Sequence, residues 1–223
     1  MSNTLISKIL WCPYCNGTKQ VAFSKTPWYH ADVQFWSDGR TKSDTWREPA
    51  SVQLCPHCGK YFILSRDIKT IEYERPCSDT GQLPYNKQKE ALAELSDGSD
   101  NEAAVRMALW HAYNDLYDGM ADTEIQREEQ QLNHLNMEWL LTYYRQKEPL
   151  FSYTSFELSR LLGRTDECKR MIDSLTFQAY EDRKKSKYNI SDINIEVEYK
   201  LYDSIIANLK DALQKPLRPY LKK

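Results

Sequence analysis

The clearest chemistry in this chain lies in two tetrads, Cys12-Pro13-Tyr14-Cys15 and Cys55-Pro56-His57-Cys58. Two thiolates separated by two residues chelate one ion from a tight turn. A second such pair completes the tetrahedral all-sulfur set that Zn²⁺ accepts. Each tetrad is closely followed by a glycine, Gly17 or Gly59. These glycines are expected to supply the positive φ that turns backbone N–H groups toward sulfur. Pro13 and Pro56 fix φ and stiffen the turns. The expectation is one structural Zn²⁺ held by Cys12, Cys15, Cys55 and Cys58. Iron is the alternative that the same ligand set admits.

Redox exchange is the rival chemistry for a Cys-x-x-Cys pair, and it needs a helix N-terminus after the motif. Here Lys19-Gln20-Val21-Ala22-Phe23 and Tyr61-Phe62-Ile63-Leu64 follow the two pairs, and both read as strands. The histidines, at 30, 57, 111 and 134, form no H-x-x-x-H or H-E-x-x-H set. His57 reads as an exposed turn residue, and His111 and His134 as helix residues. Nucleophile elbow, phosphate loop and dinucleotide fingerprint are all missing from the sequence. Glu124, Glu128 and Glu129 read as a solvated helix face. Four thiolates leave an ion no open position for water, so no catalytic constellation is expected.

The elements that must position these residues begin with strands. Residues 1 to about 9 carry little signal, with Leu5-Ile6 and Ile9-Leu10 as the start of a short strand entering the first tetrad, and Val21–Phe23 and Val33–Trp36 follow it. Ser37-Asp38-Gly39-Arg40 then reads as a turn. Trp28, Tyr29, Trp36 and Trp46 sit in this excursion and are expected to cover a metal cluster whose own core is small. Their alternative role is an exposed aromatic platform. Lys60–Leu64 and Ile68–Tyr73 are expected to pair as a terminal hairpin turned by Ser65-Arg66-Asp67.

Beyond Pro84 the apolar period becomes helical. Asn86–Leu95 is a first helix, and Val105, Leu109, Ala112 and Leu116 stripe a second. A third starts near Thr123 with Leu132, Leu135, Trp139 and Tyr143 inward, and Ser155–Leu162 is a short fourth. Asp166–Phe177 forms a fifth with Cys168, Met171, Ile172 and Leu175 inside. A sixth, capped by Asp192, carries Tyr199, Tyr202, Ile205, Ile206, Leu209 and Leu213. The divisions expected are a β domain at 1–75, a linker at 76–84, a helical domain at 85–215 and a tail at 216–223.

The 223 residues carry a net charge of −2, with 41% hydrophobic and 28% charged residues. That balance implies neither a polyanion-binding surface nor an acidic tail. Neither a signal segment nor an apolar run of about 18 residues is seen. A cytoplasmic protein with no membrane partner is expected, in which cysteines stay reduced. Cys77 and Cys168 are then unpaired thiols.

The paired tetrads resemble those of rubredoxin-like zinc ribbons, although the interval between them is longer than in the simplest ribbons. The resemblance implies a small β zinc ribbon with an elaborated hairpin. Gly163, Cys168, Ile172 and Leu175 resemble the turn and second helix of a tetratricopeptide repeat. Leu175 stands where that family has alanine, and the tryptophan, leucine and tyrosine of its first helix are missing. This resemblance covers about residues 152–178 and implies an all-α, repeat-like domain of antiparallel helix hairpins. Such arrays bind proteins or peptides. The order Trp36-Ser37-Asp38-Gly39, then Cys55 to Gly59, then Leu109 to Asp115 looks like that of uncharacterised bacterial proteins joining a ribbon to helices. It brings no function with it. The reading is a non-catalytic, zinc-binding interaction or adaptor protein. The alternative is nucleic-acid association through Arg40, Lys42, Arg47 and Lys60.

Overall fold

The computed structural model describes residues 5–24, 34–35, 37–39, 41–42, 49–65, 67–73, 75, 77, 79–118, 120, 124–147, 152–186 and 194–215. Strand β1 (Leu5–Trp11) is the middle of a three-stranded antiparallel sheet, with β2 (Thr18–Ser24) and β7 (Thr70–Tyr73) beside it. Strands β3 (Gln34–Phe35) and β4 (Thr41–Lys42) form a short ladder flanking the expected turn, where Gly39 has φ +87°.

The remaining ladder joins β5 (Val52–Leu54) to β6 (Tyr61–Ile63), with Leu54 opposite Tyr61. Its two faces have different tasks, as the period of two in a strand requires. Val52, Leu54, Tyr61 and Ile63 pack with Leu83 and with Ala91 and Val105 of the helical part. On the other face Phe62 packs with Cys12 and Cys55. One short hairpin therefore carries the cysteine-facing side and the helix-facing side of the same unit.

The terminal hairpin expected from Lys60–Leu64 and Ile68–Tyr73 does not form. β6 pairs back onto β5, and β7 crosses to β1, with Ile9 opposite Ile71. Both segments are good strands by composition. The choice of partner follows from burial, because Tyr61 and Phe62 are buried whereas every residue of β7 is exposed.

Helix α1 (Tyr85–Leu95) and helix α2 (Asp100–Leu116) follow. Gly98, at φ +77°, makes the turn between them. The Ser99 hydroxyl accepts from the Asn101 N–H at 3.1 Å, and the Glu102 carboxylate accepts from the Gly98 N–H at 2.6 Å. The first bond satisfies an orphan donor at the α2 start, and the second ties the preceding turn to the helix. Val105, Leu109 and Ala112 are buried as expected, but Leu116 is exposed.

Composition marks 76–84 as a boundary, yet residues 79–83 are built into the β region. The Ala22 and Ala50 N–H groups donate to Asp79 O and Thr80 O, and Leu83 is buried. Gly81, at φ +73°, lies against the buried Gln53 side chain, where an added Cβ would come within 2.2 Å of Oε1. The glycine that reads as linker punctuation is thus a close-approach position. The chain splits into two compact units, one being Met1–Asn136 with Leu221–Lys223 and the other Met137–Tyr220. The division falls inside helix α3 (Arg127–Lys147).

Along α3 the buried residues are Asn136, Met137, Leu140 and Leu141. The face expected from Leu132, Leu135, Trp139 and Tyr143 is displaced: Leu135 is 58% exposed. Trp139 and Tyr143 are half-buried and stack on each other at 5.4 Å. Two apolar stripes overlap on this helix, and the pattern alone could not arbitrate between them.

The second unit also contains α4 (Tyr153–Leu161), α5 (Thr165–Ser186) and α6 (Asn194–Ala212). Its core is Phe156, Cys168, Ile172, Ile206, Leu209 and Ala212, with Met171, Leu175, Ile205 and Leu213 partly buried against it. Gly163, at φ +72°, turns α4 into α5. The buried Glu157 and Arg160 form a two-pronged ion pair, both contacts at 2.8 Å. Asp192, Trp28, Tyr29, Trp36 and Trp46 lie outside the described residues.

Candidate metal centre

Each tetrad is the loop of an antiparallel ladder. The residue before the first cysteine pairs with the residue six after it, Trp11 with Thr18 and Leu54 with Tyr61. The backbone hydrogen bonds repeat as well. Cys12 N–H donates to Gly17 O at 2.8 Å, and Cys55 N–H donates to Lys60 O at 3.0 Å. Asn16 N–H donates to Cys12 O and Gly59 N–H to Cys55 O, both at 3.0 Å. The two turns are the same knuckle built twice.

The left-handed residue of each knuckle is the one after the second cysteine. Gly59 takes it with φ +71°, but in the first knuckle Asn16 does so, with φ +57°, rather than Gly17. Asparagine tolerates this region better than most side chains. Gly17 is small for another reason: a Cβ there would lie 2.4 Å from Cδ2 of His57.

The ladders bring one sulfur atom of each of Cys12, Cys15, Cys55 and Cys58 within 4.8 Å of the others. Cys12 Sγ is 3.7 Å from Cys58 Sγ, and Cys15 Sγ is 3.6 Å from Cys55 Sγ. A tetrahedral ion with sulfur arms of about 2.3 Å sets its ligands about 3.8 Å apart. The cluster has the dimensions to hold a metal ion. Cys12 and Cys55 are buried, while Cys15 and Cys58 are exposed.

Backbone donors already face the sulfurs. Gly17 N–H donates to Cys15 Sγ and His57 N–H to Cys55 Sγ, each at 3.4 Å. Burial pushes Cys55 up, but the Cys58 and His57 N–H groups and the Cys12 and Cys15 thiols outweigh it, bringing Cys55 down to about 6. The Gly17 N–H pulls Cys15 down, yet partial desolvation of this exposed thiol and its hydrogen bonds with Cys58, Cys55 and Cys12 push it up to about 12. Burial lowers the Lys19 ammonium, and attraction to Asp79 and Cys55 partly restores it. Lys60 Nζ lies over the Tyr14 ring at 4.9 Å.

Strands β2 and β6, not helices, follow the two cysteine pairs, so the setting that a redox Cys-x-x-Cys uses is missing at both. His111 is half-buried, and its Nε2 lies 3.0 Å from Asp38 O. Asn114 Nδ2 donates to Asp38 Oδ2 at 2.7 Å, so the buried Asp38 docks the β3–β4 turn on α2. This contact was not legible in the sequence, although Asp38 and His111 are 73 residues apart in one unit. His134, Glu124 and Glu128 are exposed. Glu129, of the same acidic group, accepts from Tyr85 Oη at 2.6 Å and Lys89 Nζ at 2.7 Å. The Cys77 thiol donates to Asp79 O at 3.8 Å. Cys168 is buried, which pushes its thiol up to about 11. His30, Arg40, Arg47 and the side chain of Lys42 lie outside the described residues.

The fold and the site define a class: a four-cysteine, metal-competent cluster in a small antiparallel β region, joined to helices. No family model, curated protein or solved structure matches the chain. Among the described residues no helix is long and apolar enough to cross a membrane.

Proposed function

We propose that this chain is a zinc-ribbon protein in which Cys12, Cys15, Cys55 and Cys58 hold one structural Zn²⁺, and whose helices dock a protein or peptide in the cytoplasm. The observation that carries the metal reading is the sulfur spacing of 3.6–3.7 Å across two like-built knuckles. The residues fit the group in a second respect, because an N–H from each knuckle faces sulfur. Bound zinc would supply cross-linking, replacing the apolar core that the ribbon is too small to build. The docking reading is supported by the α4–α5 pair with its Gly163 turn and by Phe177, which is 66% exposed on α5.

The deciding experiment measures metal in protein purified without added zinc and titrates thiols before and after chelation. One zinc per chain is expected, with the four cluster thiols becoming reactive on chelation. Iron in the purified protein would replace the metal. Metal-free protein with an intact β region would remove the assignment. For docking, the full chain is used to capture partners at low and high salt. Retention of a protein at high salt supports the helical scaffold, whereas capture dominated by salt-labile nucleic acid supports the other class.

A further inference from the structure

We infer that His57 is a clip between the two knuckles: it positions the metal ligands without being one, and it sets how slowly the ion leaves. This rests on the zinc reading above. His57 belongs to the second knuckle, between Cys55 and Cys58, but its ring lies on the first. A Cβ built on Gly17 would sit 2.4 Å from His57 Cδ2, 2.7 Å from Cγ and 3.0 Å from Cβ. No side chain fits at position 17 while the ring stays in place. Since Asn16 carries the left-handed conformation, glycine at 17 answers to space.

The ring is also tied by a hydrogen bond. His57 Nε2 lies 3.0 Å from Thr18 O. A carbonyl only accepts, so the proton is assigned to Nε2 and the ring donates. Thr18 pairs with Trp11 to close the ladder beneath the first knuckle. The contact therefore runs from the tip of one metal loop to the base of the other.

The two residues in contact hold equivalent places in relation to sulfur. Gly17 is two residues after Cys15 and donates its N–H to that thiol, at 3.4 Å. His57 is two residues after Cys55 and donates its N–H to that thiol, also at 3.4 Å. Packing the ring on Gly17 holds both amide donors in place at once. Groups of this kind orient ligands, and removing them commonly costs about 10–100-fold in metal affinity. An ion leaves when one knuckle swings away from the other, and the clip opposes that motion. With Nε2 engaged by Thr18 O and four sulfurs already present, the imidazole has a positioning role.

The test follows zinc release from the full chain into excess chromogenic chelator, for wild type, His57→Ala, Gly17→Ala, the double variant and His57→Gln. His57→Ala should release zinc about 10-fold faster or more. Gly17→Ala should speed release in the wild-type background, because its methyl expels the ring. In the His57→Ala background only the 3.0 Å approach to the Cβ of residue 57 remains, so the same methyl should speed release by a smaller factor than in wild type. His57→Gln, which keeps a donor for Thr18 O, should lie between wild type and His57→Ala. Wild-type release by His57→Ala, or an equal penalty from Gly17→Ala in both backgrounds, overturns the clip. Zinc content separates the two levels of the argument. Stoichiometric zinc with unchanged release rates overturns the clip alone, whereas a wild-type chain that takes up no zinc overturns the metal reading and the clip with it.

Discussion

The hydroxyl of Tyr61, on the strand that leaves the second knuckle, donates to the Glu90 carboxylate on α1 at 2.8 Å. Burial, followed by the neighbouring Glu90, pushes the phenol up to about 12, so Tyr61 remains a donor across the physiological range. Its ring sits in the same cluster as Val52, Leu83, Ala91 and Val105. The β region and the first two helices thus share one core.

That shared core sets the reach of metal removal. Chelation, or Cys55→Ser, should loosen β1–β7 and also raise amide exchange in α1 and α2, because β5–β6 supplies one wall of their packing. Exchange in α4–α6, whose core is Phe156, Cys168, Ile172, Ile206, Leu209 and Ala212, should be unchanged. Hydrogen exchange with and without chelator reads this directly. Full protection of α1 and α2 after metal loss would show that the helices do not depend on the β region.

The two helical tryptophans should differ. Trp110 is 0% exposed, so Trp110→Ala should cost about 3–5 kcal/mol in denaturant unfolding. Trp139 is half-buried and stacked on Tyr143 with planes 10° apart. Its loss should cost about 1–2 kcal/mol, near the worth of a stacked pair plus partial burial. Equal costs would contradict the burial pattern along α3.

Breaking the buried Glu157–Arg160 pair from one side should be worse than replacing it. Arg160→Met leaves a carboxylate in a site where Glu157 is only 4% exposed, and should cost about 3–5 kcal/mol. The double variant Glu157→Leu with Arg160→Met should be less destabilised than the sum of the single ones. Additive losses in a double-mutant cycle would mean that the two charges act independently.

Stability of the first unit should fall in acid, partly through Glu102. Burial opposes its charge, but the Gly98 N–H and the Arg106 guanidinium outweigh it and hold the carboxyl below its ordinary value of 4.5. A folded-state value lower than the unfolded one means that the contribution is present in full above the ordinary value. It is lost as pH falls through the folded value. Wild type should therefore lose more stability than Glu102→Gln below pH 4.5. Parallel urea midpoints for the two proteins across that range would remove Glu102 from the account.

Residue type and spacing along the chain determined the local features. The Cys-Pro-x-Cys turns, the strands after them and the helical stripes of Val105, Leu109, Ala112 and of Cys168, Ile172 are each written within a dozen residues. Local backbone preference and periodicity suffice for such features. Partner choice is different, because a period reports which face is apolar but not what will cover it. Tertiary packing alone decided that β7 pairs with β1, that α3 buries Met137, Leu140 and Leu141, and that Asp38 docks on His111 and Asn114. The same holds at the four-cysteine cluster. Four thiols in two turns are legible in the sequence. The fit of the His57 ring to Gly17 is not, because it depends on two ladders meeting at van der Waals distance, which no spacing within either tetrad encodes.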